Sequence, residues 1–204
     1  MQSSFRKLTD GYQTFRDKYA HEEQSLMKSL AQKGQQPEVM VVACCDSRVD
    51  PALLLQCEPG DLFVVRNVAN IVPPFETDES HHGTSAALEF GVCYLHVKHL
   101  IIFGHSQCGG IHARLNKDSL HQDDFISRWT DLIATETHGN HSVDDYAKEA
   151  LLHSYENCLT FPWIKEKLEA HTLSLHLWFL DIKSAEILAY DFKQKRFQPL
   201  ASHD

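Results

Sequence analysis

Residues 39–45 read VMVVACC, an uninterrupted apolar run that is rich in valine. Two later segments repeat the pattern, DLFVVRN at 61–67 and HLIIFGH at 99–105. Continuous apolar runs of this length are typical of parallel strands that are buried on both faces. Helical patterns alternate with these runs, so the sequence predicts an α/β fold with a central, mainly parallel sheet flanked by helices.

The two ends of the chain add further elements to this core. Residues 5–32 combine recurrent apolar positions with many charges at helical spacing, which predicts amphipathic helices that are interrupted near Gly11. The C-terminal part predicts one strand and a hairpin that finish the sheet. Their sequences are TLSLHLWFLDI (172–182), SAEILAYDF (184–192) and RFQPL (196–200).

The pattern along the chain predicts a single domain over residues 1–204. Residues 1–33 form its N-terminal helical arm, and residues 38–204 form its α/β core. The sequence contains no internal repeat, low-complexity tract or convincing interdomain linker. A chain of this length can bury a substantial core within one domain.

Composition argues against several classes of partner. The net charge is −9 and the 19 Lys and Arg residues are scattered, which argues against a nucleic-acid partner. No stretch approaches the about 20 apolar residues of a membrane-spanning helix. The N-terminal residues also lack the apolar centre of a secretory signal. We therefore expect a cytoplasmic protein with no membrane partner.

The groups that carry chemistry collect at the carboxyl ends of two predicted strands, where reactive side chains gather in parallel α/β sheets. VVACCDSR at 41–48 closes the first strand, and FGHSQCGG at 103–110 closes the third. Together these ends offer three thiols, one imidazole and one carboxylate. The residues are Cys44, Cys45, Asp46, His105 and Cys108.

Thiolate and imidazole are preferred ligands of Zn²⁺, which is four-coordinate and tetrahedral in most protein sites. Two Cys and one His leave the fourth position open, and an open position is typical of catalytic zinc. Only one of Cys44 and Cys45 can easily be a ligand, because neighbours on a strand point to opposite faces. Elsewhere, Cys57, Cys93 and Cys158 are expected to be ordinary core residues.

Two motifs identify a family. C-x-D-S-R at 44–48 and H-x-x-C-G-G at 105–110 lie in the order and at the separation of the two signatures of β-class carbonic anhydrases, which this chain resembles. EPGDLFVVRNVAN at 58–70 and GTSAALEF at 83–90 resemble the family as well. Residues 116–145 do not.

The resemblance implies the reversible hydration of carbon dioxide to bicarbonate and a proton by zinc-bound hydroxide. It implies one Zn²⁺ per chain and a homodimer or higher even homo-oligomer. The implied site consists of the metal ligands Cys44, His105 and Cys108, the catalytic pair Asp46 and Arg48, and the substrate-binding residues Gln35, Phe90 and Gly109. At Phe90 some members have a tyrosine, whose hydroxyl is missing here, so the side chain of Phe90 cannot donate a hydrogen bond.

One branch of the family binds inhibitory bicarbonate in a second pocket that includes a tryptophan, an arginine and a tyrosine. The arginine corresponds to Arg66, but the other two positions are Val41 and Leu180, which cannot donate hydrogen bonds. The chain therefore resembles the plant-like branch with an open site. This predicts Asp46 paired to Arg48 at neutral pH.

Three other functions compete with this interpretation. A non-catalytic zinc protein would use Asp46 as a fourth ligand. A thiol redox enzyme would need C-x-x-C, which the sequence lacks, and a phosphatase would need an arginine six residues after the nucleophilic cysteine, a position that after Cys44 is Asp50. A hydrolase of carbon disulfide or carbonyl sulfide on the same scaffold is the nearest competitor.

Overall fold

The computed structural model describes residues 4–78, 80–133 and 141–200. Six strands form one sheet. They are β1 (Val39–Cys44), β2 (Leu62–Asn67), β3 (His99–His105), β4 (Ser174–Asp181), β5 (Glu186–Asp191) and β6 (Arg196–Pro199). The spatial order is β2-β1-β3-β4-β5-β6, in which the first four strands are parallel and the last two are antiparallel. The predicted fold class, including the C-terminal strand and hairpin, is confirmed.

Eight α-helices accompany the sheet within the described ranges. They are α1 (Ser4–Ala20), α2 (Leu26–Lys33), α3 (Pro51–Leu54), α4 (Gly83–Glu89), α5 (Gly109–Leu115), α6 (Phe125–Thr130), α7 (Val143–Cys158) and α8 (Pro162–Glu169). A π-helical turn at Phe90–Tyr94 continues α4, and short 3₁₀ turns occupy Val68–Asn70 and Lys117–Ser119. None of these helices is long and apolar enough to span a bilayer.

The predicted interruption near Gly11 is wrong. Helix α1 passes through Gly11, and the break lies at 21–25, with Ser25 at the N-cap position of α2. Glycine inside a helix costs only about 1 kcal/mol relative to alanine, which a helix of 17 residues tolerates. None of the residues of α1 is buried, and Phe5 and Leu8 are 73% and 70% exposed.

The centre of the sheet is covered on both faces, as the continuous apolar runs predicted. Met40 and Val41, which point to opposite faces of β1, are both fully buried. Helix α7 packs so closely on β3 that a Cβ on Gly104 would lie 3.0 Å from Leu151 Cδ1. On β1, a Cβ on Gly91 would lie 2.5 Å from Met40 Sδ, so the turn that continues α4 lies directly against the strand.

The sheet has its topological switch point between β1 and β3. β1 pairs with β2 on one side and with β3 on the other, while β3 pairs onward with β4. In sheets of this kind, ligands bind in the crevice outside the carboxyl ends of the strands at the switch point. Cys44 and His105 are the last residues of β1 and β3, so both lie at this crevice.

Candidate metal centre

Three potential metal ligands converge at the switch point. Cys44 ends β1, His105 ends β3, and Cys108 precedes the first residue of α5. Their ligand atoms all lie within 4.8 Å of one another, and the two sulfurs are 3.9 Å apart. Two thiolates bound tetrahedrally to zinc at about 2.3 Å would be about 3.8 Å apart. The three residues are at most 4% exposed, and the geometry suits one zinc ion.

His105 has one ring nitrogen at this cluster that makes no hydrogen bond to the described residues. Its Nδ1 lies 2.9 Å from the carbonyl oxygen of Ser106, which only accepts, so Nδ1 carries the hydrogen and donates. The other nitrogen, Nε2, is buried and has no hydrogen-bond partner among the described residues. A buried, unpaired lone pair is costly, whereas a metal ion would satisfy it. The imidazole is therefore held in the tautomer that a metal ligand requires.

The two thiols behave as a pair. The hydrogen bond from Cys108 lowers the pKa of Cys44 to about 4, although burial opposes the shift. The same hydrogen bond, burial and the charge on Cys44 raise the pKa of Cys108 well above its usual range. Burial lowers the pKa of His105, but the neighbouring Cys44 thiolate outweighs it and the net shift is upward. A divalent cation in place of the shared proton would favour both thiolates.

Beside the cluster, Asp46 and Arg48 form a bidentate ion pair. Arg48 Nε donates to Asp46 Oδ1 at 2.9 Å, and Nη2 donates to Oδ2 at 2.7 Å. The backbone N–H of Arg48 also donates to Oδ1, at 3.0 Å. Mainly because of Arg48, the pKa of the Asp46 carboxyl lies well below its usual range. Arg48 therefore donates to both carboxylate oxygens, and Oδ2, which accepts one of these bonds, keeps a lone pair for a further donor.

A sequence profile of the carbonic anhydrase family matches residues 39–187, a span that contains the three-ligand cluster and the ion pair. Beta carbonic anhydrase 5 of Arabidopsis thaliana chloroplasts is 41% identical over 73% of this chain. This chain belongs to the β-class carbonic anhydrase family. The match spans 52% of that chloroplastic relative's own length.

Bacterial relatives match over more of their length. The carbonic anhydrase of Pseudomonas aeruginosa is 37% identical over 97% of this chain and 93% of its own. The carbonic anhydrase of Synechocystis is 35% identical over 91% of this chain and 71% of its own.

Solved structures of the family share the fold. The β-carbonic anhydrase CcaA superposes with a TM-score of 0.86 at 33% identity and covers 98% of this chain and 93% of its own. A tetrameric β-carbonic anhydrase of Sordaria macrospora gives a TM-score of 0.76 at 28% identity, covering 91% of this chain and 96% of its own.

Within this family member, Cys45 is separate from the cluster. It is exposed, its backbone N–H donates to Asn67 at 2.9 Å, and it borders an apolar cavity together with Phe125 and Trp129. The expectation that only one of the adjacent cysteines joins the cluster therefore agrees with the geometry. Of the three cysteines expected to be core residues, Cys158 is fully buried, whereas Cys57 and Cys93 are half-buried.

The proposed substrate-binding residues of this β-carbonic anhydrase fall into two places. Gly109 follows the ligand Cys108 and opens α5. Gln35 precedes β1 and lines a cavity with Tyr94, at the end of the strand opposite Cys44. Phe90 stacks on Tyr94 and approaches Phe63, with both centroid distances 5.8 Å.

The distance along β1 separates these residues from the metal centre. β1 spans six residues, and its two ends are about 16 Å apart at the usual strand rise. Gln35 and Phe90 therefore do not reach the Cys44 cluster of their own chain.

Sequence reasoning missed two residues at the site. Gln107 lies between the ligands with a positive φ of 53°, and Asp144 at the start of α7 accepts its backbone N–H. The position of Gln107 inside H-x-x-C-G-G was visible in the sequence. Nothing in the sequence connected it to Asp144, 37 residues further on.

Proposed function

We propose that this chain catalyses the reversible hydration of carbon dioxide to bicarbonate and a proton, with one zinc ion per chain held by Cys44, His105 and Cys108. The observation that carries the proposal is the buried, unpartnered Nε2 of His105 beside two thiols, in a member of the carbonic anhydrase family. When bound, the zinc supplies a nucleophile at neutral pH, because it lowers the pKa of a coordinated water.

Asp46 orients the water that reacts. Its carboxylate is ionised and can only accept hydrogen bonds, so a water between it and the cluster donates a hydrogen to it. The lone pair of that water is then free to face the carbon of the substrate. Arg48 holds both carboxylate oxygens, which keeps Asp46 from turning into the metal centre.

The structure supports an open site of the plant-like kind without a second bicarbonate pocket. Val41 and Leu180 are buried. All three guanidinium nitrogens of Arg66 donate to protein oxygens, namely the carbonyls of Cys44 and Asp46 and the carboxylate of Asp50. An anion at Arg66 would find three of its five N–H donors already used and would lie beside aliphatic side chains.

We further propose that Gln35 and Phe90 act on the metal centre of a second copy in a homodimer or higher even homo-oligomer, with Gly109 acting in its own chain. Both residues lie at the opposite end of β1 from their own cluster, and Phe90 is 43% exposed. The exposed apolar residues of α1 favour the same assembly, because surface of this kind is usually covered in oligomers. The Sordaria macrospora relative is described as tetrameric.

Two alternatives remain as competing outcomes. A non-catalytic zinc protein is less favoured, because the Asp46 carboxylate that would close the coordination shell is bound to Arg48. A hydrolase of carbon disulfide or carbonyl sulfide would use the same ligands. The cytoplasmic location and the single domain with an arm at 1–33 and a zinc-binding core at 38–204 also remain predictions.

The deciding experiment measures carbon dioxide hydration by stopped flow on zinc-loaded protein between pH 6.5 and 9. Protein stripped of metal by a chelator is the control, and carbon disulfide and carbonyl sulfide are offered in parallel. We expect hydration that requires zinc and no comparable hydrolysis of the sulfur compounds. Stoichiometric zinc without hydration at any of these pH values would overturn the proposal.

A further inference from the structure

The turn between His105 and Cys108 contains a residue in an unfavourable backbone conformation. Gln107 has a φ of 53°, in the left-handed region that costs most residues other than glycine about 1 kcal/mol or more. This conformation reverses the chain between the two ligands. Glutamine does not favour this backbone conformation, so contacts from other residues must stabilise the turn.

Asp144 provides a contact that stabilises this turn. Its Oδ1 accepts the backbone N–H of Gln107 at 2.8 Å, and the Gln107 side-chain amide lies 3.5 Å from the same oxygen. Asp144 is half-buried, and hydrogen bonds to charged groups are stronger than neutral ones.

Helix α7 holds Asp144 in place. This placement comes from the packing of α7 on β3, and the first turn separately contains a capping box, in which Ser142 Oγ accepts from the N–H of Asp145 and Asp145 Oδ2 accepts from the N–H of Ser142. Two turns later, Leu151 packs against Gly104 of β3, directly before the ligand His105. Residues seven apart lie on the same face of a helix, so the face that packs on β3 also carries Asp144.

The backbone carbonyl of Gln107 contacts Arg48 of the Asp46–Arg48 pair. Its carbonyl oxygen accepts Arg48 Nη2 at 3.2 Å, and the same nitrogen donates to Asp46 at 2.7 Å. The direction of this carbonyl relative to the N–H depends on φ and ψ of Gln107, so a contact that helps to maintain the turn also helps to keep the acceptor of Arg48 in place.

We propose that Asp144 is a positioning residue: by holding the Gln107 N–H it maintains the turn between the metal ligands and aligns Arg48, and through it Asp46. This inference rests on the proposed carbon dioxide hydration, in which Asp46 orients the reacting water. Asp144 itself touches neither the ligand atoms nor the ion pair.

The test compares three single variants in zinc-loaded, full-length protein. Asp144→Ala removes the acceptor and should lower kcat/KM about tenfold, mainly through kcat. The reason is that the loss of a charged hydrogen bond should disturb the alignment of Arg48 and Asp46. Asp144→Asn keeps an acceptor oxygen and should recover most of that activity. Asp145→Ala is the matched control. It breaks the capping box in the same turn, so it should weaken the protein to urea while kcat/KM stays within about twofold.

A fourth variant tests whether the effect passes through the backbone of Gln107. Glycine adopts a positive φ without strain, so adding Gln107→Gly to Asp144→Ala should recover about half of the lost activity on a logarithmic scale, with Gln107→Gly alone as the reference. Hydrogen exchange of the Gln107 amide gives a second measurement that needs no substrate. Asp144→Ala should speed this exchange, and Asp145→Ala should speed it far less.

Three results would overturn the inference. The first is activity of Asp144→Ala within about twofold of wild type. The second is an equal loss of activity in Asp144→Ala and Asp145→Ala. The third is that adding Gln107→Gly to Asp144→Ala recovers no activity. An inactive wild-type protein would instead contradict the proposed function, so the two failures are distinguishable.

Discussion

The two ends of the parallel strands differ in how much of a working site one chain supplies. At the carboxyl end, the cluster of Cys44, His105 and Cys108 is buried, and its ion pair is already formed. At the amino end, Gln35 and Phe90 are exposed and border open surface. At the carboxyl end, one chain therefore contains all three potential ligands and the ion pair. At the amino end, Gln35 and Phe90 lie far from the Cys44 cluster of their own chain.

The two ends therefore differ in whether their function depends on contacts within one chain or on contacts between two chains. The carboxyl end can be argued from contacts within one chain, because a ligand set shows itself through burial, distance and unpaired atoms. In the proposed assembly, a second copy would bring the residues of the amino end to a metal centre. Substitutions at the two ends should therefore differ in size and in whether another subunit can compensate.

The largest effect is expected at the ligands. Cys44→Ser or Cys108→Ser should lose zinc and at least about a thousandfold in activity, because a hydroxyl is a much weaker zinc ligand than a thiolate. Metal analysis and stopped-flow hydration measure the two losses. Cys93→Ser, at a half-buried position outside the cluster, is the control and should retain both. Full zinc content in both ligand variants would refute this assignment.

The next effect concerns the ion pair. Arg48→Ala should lower turnover by about 10- to 100-fold, as is typical when a partner that orients a metal site is removed. Zinc content and resistance to urea should remain close to wild type. Arg128→Ala, which removes another exposed arginine bound to an aspartate, is the control. Wild-type turnover from pH 7 to 9 would show that the pair has no such role.

A smaller effect is expected at the amino end. Gln35→Ala should lower activity about five- to tenfold, the value of one hydrogen bond to the substrate, with normal zinc content. Gln36→Ala should change little. Equal losses in the two variants would return both residues to the role of polar loop residues.

A hybrid tests which subunit Gln35 serves. When a Cys44→Ser chain is paired with a Gln35→Ala chain, the Cys44→Ser chain supplies Gln35 to the intact metal centre of its partner. The purified hybrid should then be more active per zinc than Gln35→Ala alone. No gain would show that Gln35 does not act across subunits.

The smallest expected effect is that of added bicarbonate. Each guanidinium nitrogen of Arg66 already donates one hydrogen bond to the protein, and Arg48 holds the pKa of Asp46 well below its usual range, so Asp46 stays ionised from pH 9 down to 6.5. Activity profiles over this range should show no cooperative inhibition with or without bicarbonate. A steep loss below about pH 8 that bicarbonate deepens would contradict the open site.

The sequence predicted the strands and the ligand cluster because both follow from local patterns. The apolar runs at 39–45 and 99–105 match strands that are buried on both faces, and each strand ends at a residue of the cluster. Helix boundaries were less predictable. A Cβ built on Gly11 would meet no other described residue within 4 Å, so the glycine acts on α1 only through its weak helix propensity, and the helix passes through it.

Long-range placement could not be predicted from these patterns. The contact between Asp144 and Gln107 depends on where α7 lies against β3, and no periodicity in the sequence encodes that. Similarly, Gln35 precedes β1 in the sequence, which says nothing about its distance from a cluster at the other end of the strand.

The paired glycines after Cys108 should tolerate substitution very unequally. A Cβ on Gly109 would meet no atom within 4 Å, but one on Gly110 would lie 2.7 Å from Val68 Cγ1 and 2.8 Å from Ala69 Cβ. In a library of random variants screened for soluble, folded protein, alanine should be retained at 109 and lost at 110. The second glycine therefore limits how this turn can diversify, since a larger residue there would move α5 and the adjacent Cys108.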